Sequence, residues 1–256
     1  MLDIVTRHDL PTLLLIDDDM VSREVMATVL TMSGYTVHTA VDGRAALDLL
    51  AAGDCTPGVI LMDAQMPGLS GIQLIKQLRA RTHARLYAIS ASDAPHEVID
   101  AVDGFLLKPF APEALTKMVD DHLPKSQPPL RPGLDPGETI VSRETLAQLR
   151  KIMPDTAVRQ IYEAIVADLA LRINSLKTAI ARKDDAEIRR IGHAIKGGCS
   201  MAGALQAARI GGVIESGGIE VMAAAVNHLD NSSAVLEDLR SATANLKRML
   251  EGEIHV

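Results

Sequence analysis

Short apolar runs alternate with amphipathic segments along roughly the first 120 residues of the chain. Leu13–Ile16 is an apolar run that ends in three consecutive aspartates, and a second run, over residues 58–62, ends at Asp63. Continuous apolar runs of this length are typical of parallel strands that are buried on both faces. The alternation repeats five times, and it predicts an α/β fold with a doubly wound, five-stranded parallel sheet.

The second half of the chain follows the helical period instead. Amphipathic patterns cover five segments after residue 141, and they predict an all-α domain, a four-helix antiparallel bundle with an extra N-terminal helix. Residues 125–138 are rich in Pro and Gly and have no apolar period, which is typical of a linker. The predicted organisation is therefore an α/β domain over residues 1–124 and an all-α domain over residues 139–256.

Composition and charge exclude several function classes. The net charge of −7, the aromatic content of 2% and the absence of Trp argue against nucleic acid as a partner. No apolar run approaches the length of about 18 residues that a membrane span needs, so we expect a cytoplasmic protein without membrane insertion. Cys55 and Cys199 have neither metal-ligand nor disulfide spacing, and we interpret both as structural.

One histidine of the second half, His193, lies off the apolar face of its predicted helix. At about 100° per residue, that face consists of Ile188, Ile191, Ile195, Cys199 and Ala202. His193 projects away from it and is expected to be exposed. Four neighbours share the predicted exposed side, namely Arg189, Arg190, Lys196 and Gly197.

Two further features of this helix indicate contact with a partner. Gly197 and Gly198 each cost about 1 kcal/mol relative to alanine in mid-helix, and we interpret them as giving another protein's backbone access to the imidazole. The basic neighbours are expected to neutralise a phosphoryl group carried by His193. An ordinary core or surface histidine is the alternative interpretation.

Polar residues follow the predicted strands at the sheet edge where ligands gather in such folds. They are Asp17, Asp18, Asp63, Ser90 and Lys108. Neighbouring carboxylates repel one another unless a hard cation lies between them, and oxygen ligands of this kind suit Mg²⁺. A hydroxyl and an ammonium group would complete a phosphate site. Each residue alone is better explained as a solvated turn residue, but that explanation is poor for all five together.

This constellation closely resembles the receiver domain of response regulators, over nearly all of residues 12–122. The matching segments are Ile16-Asp17-Asp18, residues 63–71 (DAQMPGLSG), Ser90-Ala91 and Lys108-Pro109. The resemblance implies a flavodoxin-like fold in which Asp63 is the phosphoacceptor. It implies that Ser90 and Lys108 bind the phosphoryl group, and that Mg²⁺ is held by Asp17, Asp18, Asp63 and the backbone carbonyl of Gln65. Phe105 matches the aromatic switch position.

One departure from the receiver pattern concerns the interval between Ser90 and Lys108. This interval is shorter than is usual in the family, which predicts a shortened fourth helix. The surface that often transmits receiver output is therefore expected to differ, together with the Phe105 switch.

The segment His193-Ala-Ile-Lys196-Gly197, followed by Gly203-Ala204, resembles the HxxKG…GA signature of histidine phosphotransfer (HPt) domains. The resemblance implies that His193 carries phosphate, assisted by Lys196. Both resemblances together imply a phosphorelay protein, a phosphoryl-transfer intermediate. Its expected partners are a sensor histidine kinase or hybrid kinase and a downstream receiver.

Two alternatives differ from this phosphorelay hypothesis. In the first, phosphorylation of Asp63 regulates docking, and His193 is a phosphate sink or a vestigial site. In the second, the chain is a complete histidine kinase, which requires an ATP-binding domain for which the sequence has neither a motif nor room. The direction of phosphate flow stays open.

Overall fold

The computed structural model describes residues 10–90, 95–108, 114, 117, 118, 139–224 and 234–252. The chain divides into two compact units after Leu130. The predicted linker, residues 125–138, lies outside the described residues, as do Ala91 and Pro109 of the receiver-like segments.

Five strands and four helices form the described core of the first unit. The strands are β1 (Leu13–Ile16), β2 (Val37–Ala40), β3 (Val59–Asp63), β4 (Arg85–Ser90) and β5 (Gly104–Leu107). The helices are α1 (Met20–Met32), α2 (Gly43–Ala52), α3 (Gly71–Arg79) and α4 (His96–Ala101). All strand pairs are parallel, in the order β2-β1-β3-β4-β5. The predicted doubly wound, five-stranded sheet is confirmed.

The order of the strands reverses at β1, which lies between β2 and β3. Ligands bind at such a switch point, beyond the carboxyl ends of the strands. The register between β1 and β3 places Ile16 beside Met62, so the residues that follow, Asp17 and Asp63, come next at the same edge. The apolar runs of β1 and β3 are completely buried, as strands covered on both faces must be.

Aspartate side chains cap the N-terminal ends of three helices. Asp19, Asp42 and Asp184 each precede a helix and accept a hydrogen bond from a backbone N–H of its first turn. At the other end of α2, Gly53 adopts the left-handed conformation with φ of 75°, which favours glycine.

Helix α4 is the shortest of the described helices, with six residues. It begins after Pro95 and ends shortly before β5, as the short interval between Ser90 and Lys108 predicts. Phe105 of β5 is half-buried and packs against the core of the sheet.

The second unit contains five described helices. They are α5 (Arg143–Ile152), α6 (Asp155–Arg182), α7 (Asp185–Met201), α8 (Leu205–Ala224) and α9 (Ala234–Leu250). Helices α6 and α8 each pack against both α7 and α9, and α5 packs against α6, so the predicted bundle with an extra N-terminal helix is confirmed. Among the described residues, no helix has both the length and the apolar character that crossing a membrane requires.

The apolar face of α7 lies inside the bundle, as the helical spacing predicts. Its five residues are each no more than 3% exposed: Ile188, Ile191, Ile195, Cys199 and Ala202. Tyr162 of α6 is 1% exposed, and its hydroxyl donates to the carbonyl of Ala202 at 2.7 Å. This bond satisfies a carbonyl at the end of α7 that has no helical partner.

Two glycines allow the backbones of α7 and α8 to touch. A Cβ atom added at Gly211 would lie 2.6 Å from the backbone nitrogen of Lys196, and one at Gly192 would lie 2.5 Å from that of Glu215. Any side chain at either position would push the helices apart. Gly212, the neighbour of Gly211, has more space, because an added Cβ would meet only the Lys196 side chain, at 3.8 Å.

We predict opposite stability effects for alanine at these adjacent positions. Gly211→Ala should lower the free energy of unfolding by about 1–3 kcal/mol, since the new methyl group overpacks a backbone contact. Gly212→Ala should raise it by up to about 1 kcal/mol, because alanine is the better helix former and the site has room. Urea unfolding followed by circular dichroism measures both. Equal effects of the two substitutions would contradict the close approach.

Candidate functional site

Four of the predicted site residues meet at the carboxyl edge of the sheet. Asp17 directly follows β1, and Asp63 is the last residue of β3. The register between β4 and β5 pairs Ser90 with Leu107, so Lys108, the residue after Leu107, lies at the same edge. All four are buried, with exposures of 0% for Asp17 and Ser90 and 5% for Asp63 and Lys108. The structure thus brings together Asp17 and Lys108, which are 91 positions apart in sequence. We call this group the carboxylate pocket.

The ammonium group of Lys108 lies between the two buried carboxylates. Its Nζ donates to Oδ2 of Asp17 and to Oδ2 of Asp63, each at 2.8 Å. Burial acts to lower the pKa of Lys108, but the two carboxylates outweigh it and hold this pKa above its ordinary value. Lys108 therefore stays charged and offsets part of the negative charge of the pocket.

Ser22 of α1 is a further member of the pocket that the sequence analysis missed. Its hydroxyl accepts the third hydrogen bond of Lys108 Nζ, at 2.8 Å, and donates to Oδ2 of Asp17, also at 2.8 Å. An ammonium group has three donors, so these contacts complete its hydrogen bonds. The sequence does contain a signal, because Ser22 is a polar residue within the otherwise apolar buried face of α1.

The second oxygen of each carboxylate accepts from the backbone. Asp17 Oδ1 accepts from the N–H of Asp19, and Asp63 Oδ1 accepts from the N–H of Gln65, both at 2.8 Å. These backbone hydrogen bonds fix the orientation of the Asp17 and Asp63 carboxylates. Of the other predicted metal ligands, Asp18 is half-buried and Gln65 is exposed.

The predicted magnesium ligands share this edge without forming a ready metal cluster. Within the described part of the chain, no three His, Cys, Asp or Glu residues are grouped as metal ligands. The ammonium of Lys108 contacts two of the predicted ligands, Asp17 and Asp63. The donor set nevertheless consists of carboxylate and carbonyl oxygens, the hard ligands that Mg²⁺ prefers, so its chemistry fits the ion.

We predict that Ser22→Ala lowers the free energy of unfolding of the first unit by about 1–2 kcal/mol, because it leaves a buried donor of Lys108 without an acceptor. Ser33→Ala is the matched control. Its hydroxyl donates to the carbonyl of Val29 at the half-buried end of the same helix and has no contact with the carboxylate pocket among the described bonds, so we expect a change within about 0.5 kcal/mol. Urea unfolding of both variants tests the difference. A similar loss in both would show that the Lys108 contact is unimportant for stability.

The second candidate site surrounds His193 on α7. His193 does not stand in solvent as the helical spacing predicts, because its side chain is only 17% exposed. Its Nδ1 atom lies 2.7 Å from Oε1 of Glu215, which α8 brings alongside the ring. A helical projection treats one helix in isolation, and so it cannot include cover that comes from a neighbouring helix.

Glu215 also binds Lys196, whose Nζ donates to Oε2 of Glu215 at 3.0 Å. Partial burial acts to raise the pKa of Glu215, but hydrogen bonds from His193 and Lys196 outweigh it, so this pKa lies below its ordinary value. The carboxylate is therefore ionised at neutral pH. We call His193, Lys196 and Glu215 the histidine site.

The arginines beside His193 do not provide the free positive charge that the sequence suggests. Arg189 binds Asp185 and backbone carbonyls of α8, and Arg190 binds Glu187. In this conformation each arginine is paired, so the structure gives no support to the expectation that the two arginines neutralise a transferred phosphoryl group. Lys196 is also paired, with Glu215, and its side chain is 34% exposed.

The interpretation of Gly197 and Gly198 also needs correction. Both are buried, so they do not form an opening toward a partner. The close approach that glycine permits occurs instead between Gly192 and Gly211. This contact brings α8 near enough for Glu215 to reach the imidazole.

Glu215 was missed because its role depends on how α8 packs. The only sequence signal is that it is the single charged residue in positions 210–219. A carboxylate can only accept a hydrogen bond, so its contact with Nδ1 requires a proton on that nitrogen. In the neutral ring the lone pair then lies on Nε2, which is the nucleophilic form for attack from that side.

We predict that Glu215→Ala shifts the neutral His193 ring away from the tautomer protonated on Nδ1, because the acceptor that favours this tautomer is lost. Nitrogen-15 NMR of the ring measures the change directly. Glu215→Gln is the control, since its amide oxygen can still accept from Nδ1. Unchanged ring signals in the alanine variant would contradict the assigned hydrogen bond.

Two protein families match separate segments of the chain. Residues 13–120 match the family described as Response regulator receiver domain, and residues 160–248 match the Hpt domain family. The carboxylate pocket lies within the first match, and the histidine site lies within the second. The two chemistries therefore belong to two different family segments.

Individual relatives are similar to different shares of the chain. The Response regulator MprA of Mycolicibacterium vanbaalenii is 34% identical over 121 residues, which cover 45% of this chain and 52% of that protein. The Transcriptional regulatory protein FixJ of Bradyrhizobium diazoefficiens is 30% identical over 182 residues, which cover 69% of this chain and 80% of FixJ. Among solved structures, the chemotaxis response regulator CheY4 of Vibrio cholerae has 30% identity and a TM-score of 0.40, with 44% of this chain and 99% of that chain covered.

Proposed function

Because the chain belongs to the response regulator receiver family and carries an Hpt domain after its receiver domain, we propose that it is a phosphorelay carrier with two phosphoacceptors. Asp63 receives a phosphoryl group from a sensor histidine kinase or hybrid kinase. His193 exchanges a phosphoryl group with a receiver aspartate, either Asp63 or that of a downstream receiver. The protein acts in the cytoplasm, transfers phosphate without binding ATP, and needs no nucleic acid.

In the first step an oxygen of Asp63 attacks the phosphorus of a phosphohistidine on the kinase. The new O–P bond forms as the N–P bond breaks, and the electron pair returns to the imidazole of the donor, which takes up a proton. Lys108 is already 2.8 Å from Asp63, so its charge is in place where negative charge accumulates. Ser90 supplies a hydroxyl for the phosphoryl oxygens.

Receiver domains generally use Mg²⁺ for phosphorylation. In this chain the residues that would hold the ion are Asp17, Asp18, Asp63 and the backbone carbonyl of Gln65. When bound, Mg²⁺ supplies positive charge that offsets the charge on the phosphoryl oxygens. Lys108 would share Asp17 and Asp63 with it.

In the second step Nε2 of His193 attacks the phosphorus of an aspartyl phosphate. An N–P bond forms, the O–P bond breaks, and the carboxylate leaves. Positive charge that develops on the ring is stabilised by the Glu215 carboxylate, which accepts the hydrogen bond from Nδ1–H. Lys196 lies one helical turn from His193, so its ammonium group can offset negative charge on the incoming phosphoryl oxygens.

One observation carries this proposal, the contact of Glu215 with Nδ1 of His193 at 2.7 Å. A histidine that served only in packing would not need a fixed tautomer with Nε2 available. The same contact argues against a purely vestigial histidine, although a phosphate sink would use it equally.

Phosphate labelling of three full-length proteins tests the route. The wild type, Asp63→Asn and His193→Gln are each incubated with a phosphorylated sensor kinase and Mg²⁺, and acid-labile, alkali-stable phosphate reports phosphohistidine. We expect Asp63→Asn to lose the aspartyl phosphate and His193→Gln to lose the phosphohistidine. If the amount of label and its stability to acid and alkali are the same in both variants as in the wild type, the carrier function is refuted.

A second measurement separates the carrier from a phosphate sink. A downstream receiver is added to protein that carries phosphate on His193, and label on that receiver is followed with time. A carrier passes the label on, whereas a sink releases inorganic phosphate only. In protein that is first phosphorylated on Asp63, the effect of dilution on the rate of phosphohistidine formation distinguishes transfer within one molecule from transfer between molecules.

A further inference from the structure

Helix α8 is interrupted just after the residue that binds His193. Gly218 has φ of 54° and ψ of −138°, which lies outside the helical region. The first part of the helix thus ends near Glu215 and Ser216, and the second part starts near Ile219. Such a break leaves carbonyls at one end and N–H groups at the other without helical partners.

Arg189 of α7 binds the carbonyl end of this break. Its Nη1 donates to the carbonyl of Glu215 at 3.0 Å and to that of Ser216 at 2.6 Å. A cation at the C-terminal end of a helix segment is favourable for the helix dipole. Arg189 thus holds the backbone of the residue whose side chain holds His193.

Asp185 of α7 binds the other end. Its Oδ1 accepts from the N–H of Ile219 at 2.8 Å, and its Oδ2 accepts from Nε of Arg189 at 2.7 Å. These bonds hold the pKa of Asp185 below its ordinary value, the hydrogen bond from Ile219 being the largest cause. Asp185 therefore links both ends of the break and orients the guanidinium group.

The spacing on α7 places this pair in line with the histidine. Asp185, Arg189 and His193 follow one another at intervals of four residues, so they lie along one side of the helix. Gly218 packs closely against the side chains of Asp185 and Arg189. A Cβ atom added at Gly218 would lie 2.1 Å from Asp185 Oδ1 and 2.8 Å from Arg189 Cζ. The break in α8 and the row on α7 therefore form one packed unit.

We propose that Asp185 and Arg189 are positioning residues of the histidine site, which hold Glu215 against His193. The proposal rests on the phosphorelay function above and adds two residues to it. Glu215 is held at both ends, by Arg189 at its carbonyl and by His193 and Lys196 at its carboxylate. We call the pair of Asp185 and Arg189 the clamp. Without the clamp, the carbonyls in the last turn of the first α8 segment lose their partner, and the Glu215 carboxylate loses its fixed position.

Full-length protein with Arg189→Ala tests the clamp against a matched control, Arg190→Ala. The control removes the same charge one residue away, from a side chain that binds both carboxylate oxygens of Glu187 on its own helix. Two readouts are measured, the nitrogen-15 signals of the His193 ring and the rate at which phosphohistidine forms. We expect Arg189→Ala to shift the ring signals as Glu215→Ala does and to slow transfer about 10-fold, while Arg190→Ala leaves both unchanged.

A double-mutant cycle separates positioning from general loss of structure. If Arg189 acts through Glu215, adding Arg189→Ala to Glu215→Ala should slow transfer little further, so the effects are not additive. Arg189→Lys should recover part of the rate, because lysine can still donate to one carbonyl. Additive rate losses, or ring signals in Arg189→Ala that match the wild type, would overturn the clamp.

The ring signals keep this test independent of the phosphorelay function. If wild-type His193 never carries phosphate, the phosphorelay proposal fails, and the ring spectra still report whether Arg189 places Glu215. If His193 is phosphorylated at the same rate in Arg189→Ala and Arg190→Ala, the clamp fails and the phosphorelay stands. Asp185→Asn gives a second approach if Arg189→Ala unfolds, because it keeps an acceptor for Ile219 and removes the ion pair with Arg189.

Discussion

The ammonium of Lys108 between the buried carboxylates of Asp17 and Asp63 is the interaction on which the first unit depends. Two carboxylates in one buried pocket repel each other and lose hydration, and a single cation at 2.8 Å from both offsets that cost. The parallel register brings these residues to one edge, and Ser22 fixes the direction of the ammonium. Phosphorylation of Asp63 would leave Lys108 an anionic partner, so the same pairing serves both states of the pocket.

The histidine site uses the opposite arrangement, a carboxylate between two basic groups. Glu215 lies between His193 and Lys196, and it can do so only because glycines let α7 and α8 touch. A side chain at Gly192 or Gly211 would separate the helices and lengthen both contacts. Backbone packing thus sets the chemistry of the imidazole. The break at Gly218 exposes the backbone carbonyl of Glu215 to Arg189, so that α7 also holds the main chain of this residue.

The sequence was enough to predict the fold and the members of the pocket that follow strands. Apolar runs identify buried parallel strands, and parallel strands end at one edge, so Asp17, Asp63 and Lys108 could be placed together without coordinates. Ser22 and Glu215 could not, because each acts through the packing of a helix against another element. The errors about the exposure of His193 and Gly197 have the same origin, since a projection of one helix contains no information on its neighbours.

The two proposed phosphoacceptors differ in access, and this difference limits how each can meet a partner. The Asp63 side chain is 6% exposed within the carboxylate pocket, whereas the His193 side chain is 17% exposed, with its Nδ1 atom beside Glu215. A phosphoryl group on a pocket aspartate can be reached only by a group that enters the pocket. The imidazole must therefore be the entering group, and Nε2 must lead, since Glu215 occupies the other nitrogen. Fixing the ring by Glu215 before contact reduces the rotational freedom that docking would otherwise have to remove.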